Sequence, residues 1–191
     1  DLAGATQEAT SVPLPATLGD TSVRFGDVAA PLFFVSATQI NAHVPFELPA
    51  GPATLEVRRG SVVRLSQPVS IEASQPGIFA VNRAGTGAGV IVHAENFQLV
   101  TDTAPARRGE FVSIFSTGFG RLERPVASGA ASSEPAETLT RAQVTIAGLA
   151  APVVYSGVEP VFVGLYQVNA QGPEGAPAGN EPVQIVINGV A

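Results

Sequence analysis

The 191-residue sequence predicts an all-β protein built from two copies of one β-sandwich module. Three observations carry that prediction. Short apolar or alternating runs recur along the whole chain, separated by Gly, Pro, Asn and Asp. No window sustains an apolar stripe of 3.6-residue period, which a helix on a core requires. One phrase of the sequence also occurs twice, near Ala29 and again near Ala150. Gly 20 and Pro 16 suit many strands joined by turns, and a hydrophobic content of 45% against 14% charged residues supplies enough material for a core.

Taken in order, the first half offers strands at Ser22–Phe25, Pro31–Val35, Gln39–Val44, Ala53–Arg58, Ser61–Leu65 and Pro68–Glu72. Gly26-Asp27 and Arg59-Gly60 stand where hairpin turns are needed. The middle offers Ile78–Val81, Val90–His93 and Phe97–Val100, with Ala94-Glu95-Asn96 as a turn. The second half offers Glu110–Phe115, Ala142–Ile146, Pro152–Tyr155, Phe162–Gln171 and Val183–Ile187. Ser128–Thr140 contains Ala and Glu but is broken by Pro135 and has Leu139 as its one large apolar residue, so it reads as an exposed loop with at most one helical turn.

The repeat fixes how these runs group. Val23–Phe34 aligns with Val144–Tyr155 at an offset of 121, and Gln39–Pro45 aligns with Gln167–Pro173 at an offset of 128. Leu48–Gly51 then matches Ala176–Gly179, and Thr54–Val57 is set against Val183–Val186. The expected modules are residues 1–74 and 75–191. Strand alternation turns Ile40, Ala42 and Val44 to one face and Gln39, Asn41 and His43 to the other. Gln39 and Asn41, with their counterparts Gln167 and Asn169, read as amides satisfying nearby backbone, with a ligand or ion site as the rival reading.

The two copies differ at their ends. Phe111–Phe115 precedes the second copy and has no counterpart in the first, while Pro68–Glu72 follows the first and has none in the second. Each module is therefore expected to lack one strand, the first its opening strand and the second its closing one. The expected open edges are Val23 and Phe25 in the first module and Val183, Ile185 and Ile187 in the second. Either a longer polypeptide supplies the missing strands, or subunits complete one another head to tail.

Residue chemistry excludes several functions. Every base is Arg, and the net charge is −6, so no concentrated basic face for nucleic acid is expected. Without Lys there is no Schiff base and no Walker-type phosphate lysine; without Cys there is no thiolate metal site. Arg58-Arg59 and Arg107-Arg108 each adjoin Gly and read as solvated turns. Gly85–Gly89 precedes a strand and lacks the spacing of a phosphate loop. His43 and His93 fall one to each module with no triad spacing, and His93 with Glu95 makes at most half a metal site. No apolar run approaches the roughly 18–20 residues of a membrane span.

The segments running from Leu14 to Gly51, Pro76–Gly89, Arg107–Gly120 and Val163–Gly179 together resemble a domain family of unknown function. That family is abundant in acidobacterial secreted proteins, commonly at their C-termini, and is similar to immunoglobulin-like folds of the IPT/TIG kind. The resemblance implies two tandem immunoglobulin-like β-sandwiches and an extracellular or cell-surface location, and it carries no catalytic residues. Members typically begin with a strand that is absent before Asp1 here. The function expected is a non-enzymatic structural or assembly module, in its sharper form a filament or surface-layer subunit completed by strand exchange. The alternative is a carbohydrate- or ligand-binding accessory module. Protein partners are expected, with no nucleic acid, membrane insertion, metal or cofactor.

Overall fold

The computed structural model describes residues 1–191. The chain is all-β, with no helix and every strand pairing antiparallel. It divides into two compact units. The first holds Asp1–Ala73 together with Pro125–Ser133 and Pro160–Gly164, and the second holds Ser74–Arg124, Glu134–Glu159 and Leu165–Ala191. A single cut after Ser74 misses the two inserted segments. Hydrogen bonds hold them within the first unit: Leu14 N–H donates to Gly129 O at 2.8 Å, Phe46 N–H to Ser128 Oγ at 2.8 Å, and Val161 N–H to Ser132 O at 3.2 Å.

The first unit contains β1 (Gln7–Glu8), β2 (Thr17–Leu18), β3 (Thr21–Phe25), β4 (Val28–Ala30), β5 (Leu32–Val35), β6 (Ile40–Ala42), β7 (Gly51–Arg59) and β8 (Val62–Ile71). One sheet runs β1-β5-β6; the other runs β2-β3-β7-β8, with β4 also paired to β3. Val23 and Val57 from one sheet share a buried core with Leu32 and Val35 from the other, which makes the unit a sandwich. Pro31 stands between β4 and β5, where the chain leaves one sheet for the other. Lacking an N–H, it ends the ladder there without orphaning a donor.

The second unit contains β9 (Gly77–Ile78), β10 (Ile91–His93), β11 (Phe111–Thr117), β12 (Ala136–Glu137), β13 (Gln143–Ile146), β14 (Leu149–Ala151), β15 (Val153–Val158), β16 (Tyr166–Gln171) and β17 (Val183–Val186). One sheet runs β10-β11-β16-β15-β12, with β9 on β11, and the other runs β14-β13-β17. Its buried side chains include Val112, Ile114, Val144, Val168 and Ile185. Phe119 packs on Tyr166 with ring centroids 5.1 Å apart, and the Tyr166 hydroxyl donates to Gly120 O at 2.6 Å.

Several expected strands change on folding. Ser61–Leu65 and Pro68–Glu72 are one strand, β8, because Pro68 faces Thr54, whose own carbonyl accepts from Gly26 N–H at 2.8 Å on the opposite side. The pair is thus a non-hydrogen-bonded one, and the missing proline N–H points to solvent. Phe97–Val100 makes only an isolated bridge, Val92 to Leu99. The run from Phe162 becomes a strand only at Tyr166, since Pro160–Gly164 belongs to the first unit. Ser128–Thr140 holds no helical turn and contains the short β12.

The repeat survives in detail. Pro31 and Pro152 occupy the same sheet-switching corner, and the register shifts at the bulges skip Phe33 and Val154, again 121 apart. Gly51 and Gly179 share an unusual φ, 128° and 130°. Strand pairing also corrects one alignment. Val23 faces Val57 and Val144 faces Ile185, so Leu55 and Val57 correspond to Val183 and Ile185. Setting Thr54 against Val183 is a one-residue slip, which would turn every side chain of the strand to the wrong face.

Candidate functional site

Matching the two copies strand by strand shows where each is incomplete. In the second unit β16 lies between β15 and β11, with Val112, Ser113 and Ile114 facing Ala170, Asn169 and Val168. In the first unit the corresponding strand, β6, pairs with β5 alone. The vacant side of β6 is therefore the edge that the second unit covers and the first leaves open. Val23 and Phe25, expected at that edge, lie on β3, which is paired by β7 on one side and by β2 and β4 on the other. The expectation placed the missing strand beside its nearest neighbour in sequence. In a sandwich, consecutive segments pass to opposite sheets, and β11 pairs with a strand some fifty residues downstream.

Burial records the vacancy. Val168 and Ala170 are each 0% exposed, whereas their equivalents Ile40 and Ala42 are half-buried. Gln39 carbonyl accepts from Ser36 N–H, and His43 N–H donates to Pro31 O, both at 2.8 Å on the β5 side. Strand alternation then points the N–H and C=O of Ile40 and Ala42 outward, where no other part of the chain pairs them.

The repeated amides form a clasp. Gln39 Nε2 donates to Asn41 Oδ1 at 2.7 Å, and Gln167 Nε2 donates to Asn169 Oδ1 at the same 2.7 Å. The partner is the neighbouring side chain on the same face rather than loop backbone. Gln167 is 7% exposed and also reaches Ser113 Oγ of β11 at 3.4 Å, while Gln39 and Asn41 are exposed. The same clasp is covered in one copy and bare in the other.

The second unit is open at the other sheet. β7 lies between β3 and β8, but its equivalent β17 pairs only with β13. Pro182 O accepts from Ala147 N–H on the β13 side, so the backbone groups of Val183 and Ile185 face outward. Val183 is half-buried and Ile185 4% exposed, so this edge exposes backbone more than side chain. Ile187 is different: its N–H and C=O both bond Val190 at 2.9 Å across Asn188 and Gly189. Their φ values of 53° and 80° are those of a two-residue hairpin turn. A groove of about 1410 Å³ opens beside β17, lined by Val183 and Ile185, by Val112 and Ile114 of the facing sheet, and by the Gly85–Gly89 turn.

The two histidines are each held by local partners. His43 is buried, and desolvation lowers its pKa; its Nδ1 accepts the Gly129 N–H at 3.1 Å, which suits the neutral ring. His93 bonds Glu110 through Nδ1 rather than pairing with Glu95, and that bond raises its pKa. Burial opposes ionisation of Glu110, yet the Arg107 N–H at 2.8 Å and His93 hold its pKa below the usual value. Arg58 pairs with Glu56 and Arg59 with Asp20, at 3.0 and 2.8 Å. No three His, Asp or Glu side chains converge on a point where a metal ion would fit. The chain matches no protein-family model, no curated protein and no solved structure.

Proposed function

We propose that this chain is a non-enzymatic structural module of an extracellular assembly, acting through sheet edges that neighbouring polypeptides complete. One observation carries the reading: two copies of a module each leave bare a strand that the other copy covers, β6 in the first and β17 in the second. An immunoglobulin-like sandwich lacking a strand retains its fold while offering a row of unpaired donors and acceptors, and strand addition from outside satisfies them. Repetition of such contacts between subunits, head to tail, gives a filament or surface layer. Carbohydrate binding has less support, because the aliphatic, Gly- and Pro-rich groove beside β17 presents no aromatic ring for a sugar face.

The test is light scattering on the chain from about 1 to 100 μM, a range that brackets weak protein association, combined with amide exchange at both edges. Growth in mass with slowed exchange at Val183 and Ile185, or at Ile40 and Ala42, supports the reading. A chain that stays monomeric, with both edges exchanging freely even when extended peptides are added, contradicts it.

A further inference from the structure

We propose that β6 is a strand-acceptor site for an inserted, antiparallel β-strand with the residue pattern of Phe111–Thr117. This rests on the reading above that the chain works through open edges, and it names what one edge takes.

The second unit shows what covers this position. β11 lies on β16 with Val112 opposite Ala170, Ser113 opposite Asn169 and Ile114 opposite Val168. Phe115 N–H donates to Val90 O at 3.0 Å on the far side, so alternation turns the backbone of Val112 and Ile114 toward β16. Transferred to β6, that strand would bring two sets of ladder bonds to the outward groups of Ile40 and Ala42. Its apolar residues would cover the two half-buried side chains, and its small hydroxyl residue would stand over the Gln39–Asn41 clasp as Ser113 stands by Gln167.

The occupant must bring side chains of its own. Edge-to-edge pairing with β17 of a second copy would bond the backbone but leave Ile40 and Ala42 half-exposed, because Ile185 is already committed to its own sandwich at 4% exposure. An inserted strand satisfies backbone and core together. It needs an apolar residue facing Ile40, a small hydroxyl residue facing Asn41 and an apolar residue facing Ala42.

The experiment adds a synthetic peptide of the sequence Arg107–Thr117 to the full chain and follows amide exchange residue by residue. Exchange at Ile40 and Ala42 is expected to slow by about tenfold or more, as for newly made ladder bonds. A peptide N-methylated at its Ile114 position loses the effect. So does Ala42→Pro, which removes one outward N–H and leaves the β5 side intact, shown by unchanged protection at Asn41 and His43. Free exchange at Ile40 and Ala42 with peptide present overturns the proposal, as does slowing caused by raising the chain concentration alone, which would make a second copy the occupant. If β17 still engages partners while β6 does not, only this inference falls; if neither edge engages, the contact function falls too.

Discussion

At the scale of single residues, the two histidines couple stability to pH with opposite signs. The hydrogen bond that His93 Nδ1–H donates to Glu110 raises its pKa above the ordinary 6.5, so its stabilising contribution is full below the unfolded value and is lost as pH rises through the higher folded one. Burial lowers His43 from the same 6.5, so its contribution is full above that value and is lost as pH falls toward the depressed folded one. Glu110→Gln should bring the His93 ring titration, followed by NMR, down toward the ordinary value; an unchanged midpoint would show that the pair does not set it. Gly118 gives a sharper test of backbone geometry. Its φ is 78°, and an added Cβ would stand 1.9 Å from the Gln75 carbonyl oxygen. Gly118→Ala should cost about 3 kcal/mol or more in denaturant titration, while Gly26→Ala, with φ of 57° and open space around it, should cost about 1–2 kcal/mol. Equal losses at both positions would discredit the clash. None of this was legible in the sequence, where His93 has Glu95 two residues away but folds against Glu110.

At the scale of elements, the contrast between covered and bare strands predicts unequal sensitivity. Ile114 is 0% exposed between the sheets, so Ile114→Ala should cost about 2–5 kcal/mol. Ile40→Ala, at the half-buried open edge, should fall below the lower end of that range in the same denaturation experiment. A larger loss at Ile40 would mean that β6 is covered after all. Much of the strand content was legible in sequence, because alternation and Gly or Pro punctuation mark β3, β5, β7, β11 and β13 by local chemistry alone. The short strands β1, β2, β4, β12 and β14 were not, since two or three residues carry no period and are ordered by their partners. Pro68 misled in the opposite direction: it reads as a break, yet at an outer strand its missing N–H faces solvent. Sheet order was the deepest loss. The repeat showed that a strand was missing from each copy, but only pairing shows that the first vacancy adjoins β6 rather than β3.

At the scale of the whole molecule, one module occurs twice and each copy is open at a different strand. Each unit closes a core from two sheets, and each keeps one interior-bordering strand unpaired at a different place in the module. Repeated head-to-tail contacts through non-equivalent edges would propagate, whereas reciprocal two-fold contacts would stop at a dimer. Blocking one edge should therefore cap growth without unfolding either unit. Val183→Pro, which removes an outward N–H of β17 at a half-buried position, should leave assemblies shorter by light scattering, with the core protection of Val168 unchanged; undiminished growth would exclude that edge.

The most direct measurement is residue-resolved amide exchange on the dilute, monomeric chain. The outward amides of Ile40, Ala42, Val183 and Ile185 should exchange rapidly, while their covered counterparts Val168, Ala170, Leu55 and Val57 exchange slowly. Equal protection of the two sets would mean that both sandwiches are already closed, and the contact function built on their open edges would be wrong.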